Sequence, residues 1–150
     1  MAWRLARSLS ALALAATLGL AAGVALGRTS YPPLDVLLKT SASVLGQPLA
    51  WPAGTPEITA AIVTLEPGKA TGWHHHDVPL LGYILEGALT VDYGPAGSRT
   101  YAAGDAFVEA FRTDHDGRND GSVPMRLLAV YMGAEGVPPS VAATAPPPAN

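Results

Sequence analysis

The chain has 150 residues, 49% of them hydrophobic, enough for one ordinary core and short for two domains. A net charge of −3 with only 14% charged residues excludes a basic nucleic-acid surface and a polybasic lipid patch, which leaves small molecules as the expected partners. The absence of cysteine excludes disulfides, thiolate metal sites, cysteine nucleophiles and lipid attachment through cysteine.

In chain order, Arg4 and Arg7 precede an almost uninterrupted apolar run from Leu9 to Gly27, and Arg28 follows. A basic start, an apolar middle and small residues near Ala21 to Gly27 predict a signal peptide over residues 1–28 and an exported, periplasmic or secreted protein. The run is also close to the length that spans a bilayer, so a membrane anchor formed by residues 9–27 stays open, and membrane contact is expected only through this segment.

Residues 29–136 form the body, where short β-rich runs are cut by glycine and proline and no helical stripe recurs. Strands are expected at Val36 to Val44, Glu57 to Leu65, Thr71 to His76, Leu80 to Glu86 and Ala88 to Tyr93. Further strands are expected at Arg99 to Ala102, Ala106 to Ala110, His115 to Asn119 and Met125 to Met132. Gly87 reads as the tight corner of a β-hairpin between two of these, and Leu89, Val91 and Tyr93 alternate onto one buried face. From Val137 to Asn150 the Pro/Ala-rich sequence has neither charge nor periodicity and predicts a disordered tail. An all-β sandwich or barrel follows.

Three of the four histidines are consecutive, His74 to His76, and the fourth is His115. On a strand, His74 and His76 project from one face with backbones about 7 Å apart, while His75 points the other way. Their imidazoles can converge on a first-row metal at about 2 Å each, with His115 approaching from a neighbouring strand. Polar surface is the alternative for such a run. Glu109 lies in the apolar run Ala106 to Phe111 and shares a face with Phe107 and Phe111; a carboxylate there is a candidate fourth ligand or catalytic acid/base, or a structural residue. Asp105 reads as a turn residue, and Asp114 and Asp116 as pointing away from whatever His115 contacts. Trp73, Tyr83 and Phe107 are candidates for pocket lining or core. No nucleophile motif and no phosphate-cradling glycine loop is present.

On these residues the chain resembles the cupins, small β-barrel proteins with two metal-binding motifs. The first, a glycine, H-x-H, a glutamate ligand and a closing glycine, falls on Gly68, His74, His76, Leu80 and Gly87. The second, a glycine, a proline, a glycine, a histidine and an asparagine, falls on Gly104, Ala110, Arg112, His115 and Asn119. The resemblance covers Val36 to Met132 and implies a jelly roll, or double-stranded β-helix, holding one divalent metal ion, Fe, Zn or Mn, on His74, His76 and His115. Leu80 stands where the family has a glutamate and cannot coordinate, and Ala110 and Arg112 replace the proline and glycine before His115. What remains resembles the three-histidine site of thiol dioxygenases. It implies an iron-dependent oxygenase acting on a small organic molecule; the alternatives are a non-catalytic module binding a small molecule or metal, and a cupin with an empty pocket. A homodimer is left open by the resemblance.

Overall fold

In the computed structural model the described residues from Val36 onward form one compact unit. The structure describes residues 34–145, so the signal or anchor expected before residue 29 lies outside the described residues. Nine strands follow one another: β1 Pro56–Leu65, β2 His74–His75, β3 Leu80–Glu86, β4 Ala88–Asp92, β5 Ser98–Ala102, β6 Ala106–Val108, β7 Asp116–Arg118, β8 Met125–Ala134 and β9 Val141–Ala142. The described residues contain no α-helix, only a 3-10 turn at Gly94–Ala96. The all-β expectation holds.

Every strand pair is antiparallel, in sheets ordered β1-β8-β3-β6, β5-β4-β7 and β2-β9. Alternation sends Leu80, Gly82 and Ile84 of β3 and Met125, Leu127 and Ala129 of β8 inward, where they meet Leu89 and Val91 of β4. This is the core of a double-sheet jelly roll, with apolar side chains interdigitated between two sheets. Gly82 is small because the Phe107 ring lies across it: a Cβ there would stand 2.6 Å from the ring. Phe107 in turn stacks on Tyr101, ring centroids 4.0 Å apart.

Gly87 does not close a hairpin. β3 pairs with β6 and β8, whereas β4 pairs with β5 and β7, so Gly87 is the corner where the chain leaves one sheet for the other. Alternation reports which face of a strand is buried, and two strands facing across a core alternate as two hairpin neighbours do. The register shift between Ile84 and Glu86 turns the chain into that corner.

Two other expectations are corrected. Val36 to Val44 forms no strand; its run VLLKTSASV lacks a period of two, and only a bridge from Ala42 to Pro48 forms. The end of this segment nonetheless closes the β6 edge, through Val44 N to Val108 O at 2.9 Å, and Gln47 clamps Phe111 through its amide. At the other end, residues 137–145 are ordered rather than disordered. Val141 and Ala142 pair with His75 and His74, and Ala143 N donates to Trp73 O at 2.9 Å. An uncharged tail is cheap to desolvate, and the open edge of β2 supplies the backbone partners that a free tail lacks. Residues 146–150 lie outside the described residues.

Gly87 carries a measurable consequence. Its φ is +70° and an added Cβ would meet Pro124 O at 2.6 Å, while Gly68, φ +74°, has open space around it. Gly87→Ala is expected to lower unfolding free energy by about 3 kcal/mol, combining a left-handed backbone with a clash, and Gly68→Ala by about 1 to 2 kcal/mol from the backbone alone. Urea denaturation of the two variants checks the difference; equal losses would mean that the corner is slack.

Candidate metal centre

His74 sits in β2 and His115 immediately precedes β7, and their backbones exchange two hydrogen bonds, His74 N to His115 O and His115 N to His74 O, both 2.9 Å. Directly paired residues on antiparallel strands share a face, which brings these two imidazoles to a centroid distance of 4.5 Å. His76, two residues on, adds a third ring 4.9 Å from His74 and 5.1 Å from His115. One ligand atom from each ring lies within 4.8 Å of the others, and no carboxylate shares that cluster among the described residues.

Each ring is held by its Nδ1. His74 Nδ1 lies 2.8 Å from Gly72 O, His76 Nδ1 2.8 Å from Pro139 O, and His115 Nδ1 2.8 Å from Thr113 O. A carbonyl only accepts, so Nδ1 carries the proton in all three and Nε2 is left with its lone pair. Burial keeps the rings neutral: it lowers the pKa of His74 and His115, and takes that of His76 down to about 3. Neutral imidazoles with carbonyl-oriented rings are the donor set that a divalent transition metal takes. His75 does point away, its Nδ1 2.9 Å from the Asp114 carboxylate, and Asp116 accepts from Thr71, so neither aspartate faces the cluster.

The cluster opens into a cavity of about 230 Å³. Its apolar walls are Val63, Leu80, Leu89, Val91, Phe107 and Leu127. Thr71 and Ser140, both exposed, mark the mouth; Glu109, buried, belongs to the interior. Leu80 places an apolar side chain in the cavity. Trp73 and Tyr83 stand outside the lining, whereas Phe107 is both core and wall.

Glu109 Oε1 accepts from Tyr93 Oη at 2.7 Å and from Ala110 N at 2.7 Å. Burial pushes its pKa up to about 7 against those two donors, which pull it down. Tyr93 hydroxyl also meets Tyr101 hydroxyl at 3.1 Å, and burial raises both phenol pKa values. Alternation had put Tyr93 inside, but its partner across the barrel was not visible in sequence. The same holds for Tyr131, whose ring lies 5.3 Å from His76, and for Ser140, which enters only because the tail folds back. Asn119 acts as a turn cap: its amide donates to Leu65 O and Val123 O, both 2.8 Å, and accepts from Gly121 N.

Residues 61–131 match the family model of the cupin domain. Over those residues the chain is a cupin domain. Among solved structures it is similar to the Lactobacillus farciminis oxalate decarboxylase formate complex, 26% identical with a TM-score of 0.50 over 60% of this chain and 27% of that one. It is also similar to Bacillus subtilis oxalate decarboxylase, described for its Mn(II) centres, 29% identical with a TM-score of 0.46 over 57% of this chain and 23% of that one. The chain thus spans about a quarter of the length of these structures. It matches no curated protein sequence. Within the cupin domain, Arg112 has φ +53°, the one non-glycine residue in the left-handed region among the described residues. It stands where the second cupin motif has glycine, and its N–H donates to His76 O at 2.7 Å.

The buried groups set a pH dependence. The three histidine pKa values fall on folding from 6.5, so the unfolded chain binds more protons below that pH, and their stabilisation is present above 6.5 and lost as pH falls. Glu109 rises from 4.5 to about 7, so its contribution has the opposite sign between those values and is complete below 4.5. Metal-free protein is expected to lose stability below pH 6.5, and from pH 4.5 to 3 to lose it at about 1.4 kcal/mol per pH unit from His76 alone. Urea titrations across this range check the slope; a flat profile below pH 4.5 would mean that His76 is not buried neutral.

The tail yields a second expectation. Deleting residues 137–150 removes the Pro139 carbonyl that orients His76, and loss of such a partner typically costs about 10- to 100-fold in metal affinity. Competition with a chromogenic chelator measures it, and unchanged affinity in a folded truncation would remove the tail from the site.

Proposed function

We propose that this cupin domain binds one divalent metal through Nε2 of His74, His76 and His115 and serves as a metal-dependent enzyme on a small organic molecule, with iron and an oxygenase reaction as the specific reading. The observation that carries it is the trio of Nδ1–H to carbonyl hydrogen bonds, which leaves three neutral Nε2 atoms converging at the edge of a cavity. Three imidazoles with no carboxylate among them suit an iron, zinc or manganese ion that keeps open positions, and iron adds redox chemistry there.

The chain's own residues supply the rest. The apolar walls exclude water from the cavity and strengthen every polar contact within it. Glu109, with a pKa brought to about 7, is matched to taking or returning a proton near neutrality. Tyr93 remains protonated because burial raises its pKa, and its hydroxyl fixes the Glu109 carboxylate from behind. The likeness to an oxalate decarboxylase supports the cupin fold, but not that protein's substrate, since no lysine or arginine lines the cavity to pair with a dicarboxylate. Leu80 in place of a ligand favours a second reading, a binding module without turnover.

Elemental analysis of untagged protein is expected to give about one metal ion per chain, and none in a folded His74→Ala, His115→Ala double variant. Absence of metal in the parent protein after reconstitution with iron, zinc and manganese would sink the metal site. Oxygen uptake by iron-loaded protein on a panel of small organic molecules separates the enzyme from the module, with uptake lost in Glu109→Gln under the acid/base role.

A further inference from the structure

The cavity wall combines two features that together select a ligand. Six apolar side chains, Val63, Leu80, Leu89, Val91, Phe107 and Leu127, form its body. Its one carboxylate, Glu109, is buried and incompletely used: both hydrogen bonds that reach it from the described residues fall on Oε1. The second oxygen, Oε2, keeps its full acceptor capacity on a side chain that lines the cavity, and no buried side-chain oxygen among the described residues is sealed off without a partner. Tyr93 and Ala110 N already hold Oε1, whereas Oε2 is open to the cavity, so a ligand there that carries a donor finds an acceptor in place, and one without a donor gives up the contact that water makes.

Size and charge narrow that molecule further. A cavity of about 150 Å³ lined by Leu, Ile and Phe holds benzene, so about 230 Å³ admits one ring with a short substituent. No lysine or arginine lines the space, so a carboxylic acid would bring a second negative charge beside Glu109 with no cation from the chain to pair it. A thiol is a weak donor and a hydroxyl a strong one. We propose, building on the small-molecule site read above, that the cavity takes a neutral single-ring compound bearing a hydroxyl, whose ring packs between Leu80, Leu89 and Phe107 and whose O–H donates to Glu109.

The test compares phenol, benzaldehyde and benzoate by isothermal titration calorimetry on the full chain, both as purified and after metal removal by chelation. On metal-free protein, where no ion can select the phenol oxygen, phenol is expected to bind at least about tenfold more tightly than the other two, the effect of a hydrogen bond to a charged group. Glu109→Gln keeps an oxygen for Tyr93 and Ala110 N and turns an amide donor toward the ligand, so the phenol-to-benzaldehyde preference is expected to invert. Should that variant not fold, Leu80→Phe narrows the cavity at constant charge and is expected to weaken phenol about tenfold or more. Equal binding of phenol and benzaldehyde, tighter binding of benzoate, no saturable binding of any ring, or an unchanged preference in folded Glu109→Gln would each overturn the proposal. One metal per chain without a phenol preference defeats this ligand class alone, whereas a phenol preference without metal uptake defeats the metal reading and leaves the ligand class standing.

Discussion

Three hydrogen bonds of the same kind hold the site together: each cavity imidazole donates its Nδ1–H to a backbone carbonyl at 2.8 Å. A buried imidazole that carried charge would pay for desolvation without a counter-ion, so each ring must be neutral, and a neutral ring must present one N–H and one lone pair. By taking the N–H, the carbonyls of Gly72, Thr113 and Pro139 decide where the lone pair goes. Two of those carbonyls lie two residues before the ring they hold, and the third comes from the far end of the chain. Local turn geometry thus orients His74 and His115, and a tertiary contact orients His76.

Glu109 obeys the opposite electrostatics a short distance away. The environment that keeps the histidines deprotonated favours a protonated carboxyl, and two hydrogen bonds to Oε1 only partly restore the ionised form. Burial thus favours the uncharged form of both, but with opposite consequences: it takes the His76 pKa down to about 3, away from neutrality, and brings that of Glu109 up to about 7, so Glu109 is the group matched to exchanging a proton near neutral pH. Tyr93 takes part as a fixed donor. Its own ring stands 5.9 Å from that of His115, so the phenol joins the histidine side of the cavity to the carboxylate side.

How much of this the sequence carried depends on how local each cause is. The histidine trio was legible because a period of two and one long-range pairing suffice to bring His74, His76 and His115 together. Glu109 was legible as a carboxylate in an apolar run, but its surroundings waited on Tyr93, which reaches it from just beyond the end of β4. Gly87 was recognisable as a sharp corner and misread as a hairpin, since burial alternation does not say which strand lies alongside. The fold-back of residues 137–145 left no trace in composition, because its cause is the vacant edge of β2 rather than anything in VPPSVAATA. Leu80, by contrast, was legible directly: an apolar residue at an inward-facing strand position becomes wall.

The segments bearing the three histidines are also stapled to one another. His74 and His115 exchange two backbone hydrogen bonds, Arg112 N donates to His76 O, and β9 pairs with both His74 and His75. Arg112 shows how firmly this arrangement is imposed, since a side chain in the left-handed region costs about 1 to 2 kcal/mol where glycine would cost nothing, and the chain adopts φ +53° there all the same. Rings and backbone tied together by the protein's own hydrogen bonds reduce the ordering that anything bound among them has to impose.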